Sequence, residues 1–400
     1  MVSKRRFSLK KLCCSAALFL LSVSLGAAEI FVDVDKGDNH NAGGKDTPLK
    51  DFGNALAQAR PGDTIRMVAT PNPVRANFQI RGKGGSPEKP IVIDGGFNTY
   101  VGTVPVDGKK WAMISPGLYK QTMKMPENIQ LRYFMCFNGK MIRMGRHTKW
   151  ASAPFKRVEE LKDFEWTIVN KEDFYFKIPS GKSLKEVGAE EIALTSGVEM
   201  SGEASHYVIR NMIVTHFWND GYNIHDNCRD VLFENVAALY NGDDGVSAHE
   251  TCQITIRNFI SVGNGNGMCH VADARCAHEN VYVAQTDGRD VFMLNAENVL
   301  SNVVVEGMAP GGIEFTCDKS GTDAANRLTR CSFLAASPGA RMVFSRGGIS
   351  AAEVDCFNYN ASPSFPAGMV DDSAPDVCGK RRDALKRQLF GVFGDRLRLE

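Results

Sequence analysis

From residue 204 to about residue 360, short apolar runs alternate with polar turns at a period of 22 to 24 residues. An asparagine column marks the period: Asn211, Asn235, Asn258, Asn280 and Asn302, spaced 24, 23, 22 and 22 residues apart. A β-like run precedes each asparagine (Tyr207-Val208-Ile209-Arg210, Val231-Leu232-Phe233-Glu234, Ile254-Thr255-Ile256-Arg257), and a second follows it (Met212-Ile213-Val214, Val236-Ala237-Ala238-Leu239, Val303-Val304-Val305). A third follows a Gly/Asn/Asp loop, as in Gly221-Tyr222-Asn223-Ile224-His225, Gly245-Val246-Ser247-Ala248-His249 and Gly267-Met268-Cys269-His270. Three short strands and their turns make one coil of a parallel β-helix. No strand of about four residues buries a face alone, so coils must stack at about 4.8 Å per rung. Asparagine suits the corner because it tolerates the left-handed conformation and its amide can bond to the asparagine one rung away. A leucine-rich repeat has a similar period but needs a leucine scaffold absent here.

The flanks fit this reading. Asp51 to Arg60 has the pattern of an amphipathic helix, and Pro61-Gly62-Asp63 turns it into the strand Thr64 to Val68. Such a helix covers the open end of the coil stack, where strand edges would otherwise be exposed. Residues 97–203 lack the period and hold Trp111, Trp150 and Trp166, which predicts a large excursion packed on the early coils. Residues 361–400 form a C-terminal cap, helical over Asp383 to Phe390. The expected class is all-β: a right-handed parallel β-helix with an N-terminal capping helix and a C-terminal cap, in segments 29–96, 97–203, 204–360 and 361–400.

Charge and cysteine content refine the picture. The 400 residues carry 47 Lys+Arg and 46 Asp+Glu, a balance that argues against nucleic-acid binding. Five of those bases (Lys4, Arg5, Arg6, Lys10, Lys11) precede the apolar run Leu12 to Leu25 and Gly26-Ala27-Ala28. That is the layout of a cleavable signal peptide over 1–28, too short and wrongly flanked for a membrane anchor. Arg5-Arg6 partly matches a twin-arginine signal, so two export routes stay open. Removing five of the 47 bases leaves 42 against 46 acids, an exported and mildly acidic chain without stable membrane insertion. Cys228, Cys252 and Cys276 are 24 residues apart in succession, one per rung. They form either disulfides or a thiol ladder.

Two segments resemble a known superfamily. Glu29-Ile30-Phe31-Val32-Asp33, Thr47-Pro48-Leu49-Lys50-Asp51-Phe52 and Ala57 to Ile65, followed by Pro90-Ile91-Val92-Ile93-Asp94-Gly95-Gly96, are similar to the first coils of the pectate-lyase-like right-handed β-helix superfamily. With the repeats, the resemblance spans most of the chain. It implies the fold and a polysaccharide ligand; the superfamily includes lyases, hydrolases, epimerases and binding proteins.

The candidate chemistry lies on the coils that begin at Asp220-Gly221, Asp244-Gly245 and Asn266-Gly267. Tyr222, Ile224, Val246 and Ala248 should face in; Asn223, His225, Ser247 and His249 should face out. Asp220 and the pair Asp243-Asp244 end successive polar loops, one rung apart, a spacing suited to the paired carboxylates of glycoside hydrolysis. The order also resembles polygalacturonase-type hydrolases, which implies catalytic roles for Asp220, Asp243 and Asp244. The third rung departs from that pattern, reading Gly265-Asn266-Gly267 where the family has Gly-His-Gly, and His249 or His270 is the substitute. Asn223, His225, Ser247, His270, Trp218, Glu314 and Arg346 are expected to line the sugar groove, with Phe217 a second stacking aromatic. A uronate lyase is the rival: His249, Arg275 or Arg346 would act as base, and Asp226, Asp243, Asp244 and Glu250 offer hard oxygen ligands for Ca²⁺. No lysine lies between Lys185 and Lys319, which tilts the balance toward hydrolysis. His225, His249 and Glu250 also form a possible transition-metal set. A non-catalytic carbohydrate-binding β-helix, with the aspartates as turn formers, is the third reading.

Overall fold

The computed structural model describes residues 26–144, 155–307, 312–316, 326–345, 348–362, 364–370 and 375–400. Most of the expected signal segment, Trp150, Cys317 and Arg346 lie outside them. The chain is a right-handed parallel β-helix. A nine-stranded parallel sheet holds the strands that follow the polar loops, among them Val198–Ser201, Tyr222–Ile224, Asp244–Ala248, Asn266–Val271, Val291–Leu294 and Ile313–Thr316. The remaining coil strands form one long sheet that bends at the asparagine column, so each coil presents three faces. Tyr207–Thr215, Val231–Leu239, Gln253–Val262, Arg275–Ala284 and Glu297–Gly307 are its central members.

The corner is built as its residues dictate. Asn211, Asn235, Asn258, Asn280 and Asn302 have φ between 54° and 58°. Each amide from Asn235 onward donates to the Oδ1 of the preceding one, at 3.1, 2.9, 3.0 and 2.8 Å. Asn211 continues the ladder onto Asp94 at 3.1 Å. Inward positions form one core in which Tyr222, Ile224, Val246 and Ala248 are fully buried, stacked in register with Met268 and Met293. Cys228, Cys252 and Cys276 pack in this core as free thiols, and the Cys228 and Cys252 thiols are hydrogen-bonded. At the start of the stack, the helix Phe52–Gln58 is N-capped by Asp51 and buries Phe52, Ala55 and Leu56 over the first coils.

Two further units clothe the stack. Between residues 103 and 192 the chain leaves the coils and forms two four-stranded antiparallel sheets around Trp111, Tyr133, Phe137, Trp166, Phe174 and Phe176. The C-terminal helix Pro375–Phe393 lies lengthwise along a flank rather than closing the end of the stack as the expected cap. Arg381 bonds to the carbonyls of Cys331 and Glu353 at late rungs, while the Phe393 ring meets Phe97 at an early one. Its Leu385, Leu389 and Phe393 cover the outward residues Ile213, Ala237, Ile260, Tyr282 and Val304. Burial of that apolar column is what holds the helix there. No helix among the described residues is long and apolar enough to cross a membrane.

Candidate functional site

Register brings Asp220 and Asp244 together. Gly221 and Gly245 stand at equivalent positions, as the pairing of Tyr222 with Val246 shows, so the two aspartates occupy the same corner of adjacent coils. Asp243 joins them, and one carboxylate oxygen from each of the three lies within 4.8 Å of those of the others. All three are buried, at 3%, 2% and 2% exposure for Asp220, Asp243 and Asp244.

The partners differ, and so do the consequences. Asp220 Oδ1 accepts from the Asp244 backbone N–H at 2.9 Å, and its Oδ2 from the Asn219 side-chain amide at 3.1 Å. Asp244 Oδ1 accepts from Asn266 Nδ2 at 2.6 Å. Asp243 is ion-paired with Arg132 at 2.5 Å, and the same guanidinium donates to Asn219 Oδ1 at 2.6 Å. Burial above all, then the Asp244 and Asp243 charges, push the Asp220 carboxyl well above the usual carboxylate range, and Arg132 only partly opposes them. Burial and like charge thus favour the protonated form of Asp220, beside Asp243 with Arg132 as its counter-charge.

Arg132 comes from the antiparallel excursion, 111 residues before Asp243. It carries no periodic or motif signal, and only folding shows its role. Arg143 acts similarly nearby, donating to the carbonyls of Asn241 and Gly263 and pairing with Asp287 across three rungs. Together they fasten the excursion over the turns that carry the aspartates.

Other expected site residues are placed elsewhere. His249 lies five residues beyond Asp244, about 16 Å along an extended strand. It points outward, whereas Asp244 shares the parity of inward Val246 and Ala248. His249 stacks on His225, ring centroids 4.3 Å apart at 7°, and its Nε2 bonds to Ser247 Oγ at 2.6 Å. Asn223 and Ser247 face away from the core as expected but are covered, and Asn223 Oδ1 has no hydrogen-bond partner among the described residues. His270 corrects the sequence reading. It pairs with Ala248, an inward position, and is fully buried with its Nε2 3.0 Å from that of His278. Burial, with the neighbouring His278, favours the neutral form of His270, and its inward position keeps it out of any groove. Phe217 is core, while Trp218 stays partly exposed beside Asn219. Glu314 is outward, paired with Arg289 at 2.9 Å, and the Arg289 guanidinium lies over the Phe292 ring at 4.4 Å. Arg275 sits on another face and pairs with Glu297 at 3.4 Å.

The four oxygen donors considered for Ca²⁺ do not form one site. Asp226 and Glu250 lie in the turns beyond the strand ends, where Glu250 Oε2 accepts from the Asp226 N–H at 3.0 Å, while Asp243 and Asp244 lie at the strand start. The aspartate cluster already has Arg132 as its cation.

No protein-family profile matches the chain, and no curated protein matches it. Among solved structures, a glycoside hydrolase is similar at 12% identity and TM-score 0.57, over 89% of this chain and 98% of that one. A complex of XylC with xylose matches at 10% identity and TM-score 0.49, over 86% of each chain. Pectate lyase Pel9A matches at 12% identity and TM-score 0.41, over 86% of this chain and 82% of its own. At this identity the likeness to the first of these speaks for a shared fold alone.

Proposed function

We propose that the protein is an exported carbohydrate-active enzyme, a glycoside hydrolase whose chemical centre is Asp220, Asp243 and Asp244. The observation that carries this reading is the pairing of a proton-holding carboxyl with a charge-balanced carboxylate within 4.8 Å. Glycoside cleavage needs that division of labour: an acid to protonate the leaving oxygen, and a carboxylate to act as nucleophile or base. Asp220 is the acid and Asp243 the carboxylate. Their short separation lies on the side of retention of anomeric configuration, since inversion needs about 6.5 to 9.5 Å for an intervening water. Because Arg132 and Asn219 cover the cluster, substrate must displace the Arg132 guanidinium to reach Asp220.

The burial of the cluster supports a second reading. Asp220 and Asp244 tie successive corners together through the Asp244 N–H and Asn266. In that reading they clamp the fold, and the outward strand face binds carbohydrate without cleaving it.

A panel of neutral and acidic polysaccharides separates the readings. Hydrolysis yields new reducing ends with no ultraviolet absorbance from unsaturated sugars. Absorbing products would identify a lyase, and binding without either product would favour the clamp.

A further inference from the structure

We propose that His225, His249 and Glu250 form a binding site for a first-row divalent transition-metal ion, best matched by Zn²⁺ or Cu²⁺. Pairing of Ile224 with Ala248 puts the two histidines that follow one above the other at the strand ends. Their rings stack face to face at 4.3 Å and 7°, which brings the two imidazoles within reach of one ion. Glu250 has φ +52°, and that turn brings its carboxylate back to the pair. Glu250 Oε2 is held at 3.0 Å by the Asp226 N–H and lies 3.3 Å from His225 Nδ1. One ligand atom from each of the three residues falls within 4.8 Å of those of the others.

Two imidazoles and a carboxylate are a donor set that Zn²⁺ and Cu²⁺ favour, whereas Ca²⁺ takes six to eight oxygens. Bonds of about 2.1 Å require ligand atoms roughly 3 to 3.5 Å apart, so small side-chain rotations close the set. The support around the ligands fits as well. Ser247, fully buried, bonds to His249 Nε2 at 2.6 Å. With Nε2–H donated to Ser247, the imidazole lone pair sits on Nδ1, the usual way a neighbouring group fixes a ligand's tautomer. His225 and Glu250 are 36% and 51% exposed, so an ion can enter and keep water in its remaining positions. The site is about 16 Å from the aspartate cluster, so its test is independent of the enzymatic proposal.

Untagged protein is titrated with Cu²⁺ and with Zn²⁺ by calorimetry, and the Cu²⁺ form is examined by electron paramagnetic resonance. The expected result is a site of one equivalent with hyperfine coupling to two imidazole nitrogens. His225→Gln and His249→Gln should each weaken binding at least tenfold, their combination should abolish the site, and Ser247→Ala should weaken it roughly tenfold. Zn²⁺ should raise the melting temperature of the wild type and leave the double variant unmoved. Absence of a one-equivalent site in the wild type, or its persistence in the double variant, overturns the proposal. The wild-type nitrogen coupling reads ligation directly, so the test stands even where a variant fails to fold.

Discussion

Asp290 offers a quantitative test of how the corner of the coil stack is built. It stands opposite Gly267 on one neighbouring rung and Gly312 on the other, as the pairing of Val291 with Met268 and Ile313 fixes. Its carboxyl is fully buried; Oδ1 accepts from Thr286 Oγ1, and Oδ2 has no partner among the described residues. Burial pushes the group up to about 7, only partly offset by Thr286. The unfolded value is near 3.9, so the native state holds the proton more tightly. Stability from this group is thus fully present below about pH 4 and is lost as pH rises through 7. Roughly three pKa units at 1.36 kcal/mol each give about 4 kcal/mol. Asp290→Asn keeps an acceptor for Thr286 and removes the charge. Urea unfolding of both proteins from pH 4 to 8 should show their stability difference growing by about 4 kcal/mol in favour of the variant, with the steepest change between pH 4 and 7. Parallel stability curves over that range would refute the reasoning.

Other perturbations probe separate joints of the molecule. Asn258→Ala removes the amide bonds to Asn235 and Asn280 and puts alanine at φ +56°, which should cost about 3 kcal/mol in urea denaturation. Gly307→Ala would place its Cβ 2.5 Å from the Tyr359 hydroxyl and 2.6 Å from Asp290 Oδ2, and should cost about 1–3 kcal/mol by thermal unfolding. Arg132→Ala strips the buried Asp243 of its counter-charge and should cost about 3–5 kcal/mol, most of it regained when Asp243→Asn is added.

The fold was legible where the chain repeats. The asparagine column foretold the left-handed corner and its amide ladder, because one residue type meets both the backbone and hydrogen-bond demands. Alternation after Gly221 and Gly245 correctly assigned Tyr222, Ile224, Val246 and Ala248 to the core. His270 misled because it comes three residues after its glycine, Gly267, whereas His249 comes four after Gly245; strand parity turns the first inward and the second outward. The C-terminal helix, expected as a cap on the end of the stack, lies on the flank instead, and the reason is in the strands it covers. The run Met212-Ile213-Val214 is apolar without alternation, and a strand buried on both faces needs a cover. Arg132 was beyond reach, since its pairing with Asp243 depends on how an aperiodic excursion folds back on the coils.

The aspartate cluster was legible as chemistry but not as environment. Asp-Gly turns on successive rungs showed that three carboxylates would meet. Their burial, the Arg132 cover and the separation from His249 arise from three-dimensional packing. That separation leaves His249 out of the proposed centre.

The most direct measurement is release of reducing ends from a cleaved polysaccharide by the wild type and by Asp220→Asn, Asp243→Asn and His249→Ala, each checked for folding. Loss of the acid or of the carboxylate should lower kcat by at least about 100-fold, while His249→Ala stays within a fewfold of the wild type. Full activity in Asp220→Asn and Asp243→Asn would contradict the assignment of catalysis to the aspartate cluster.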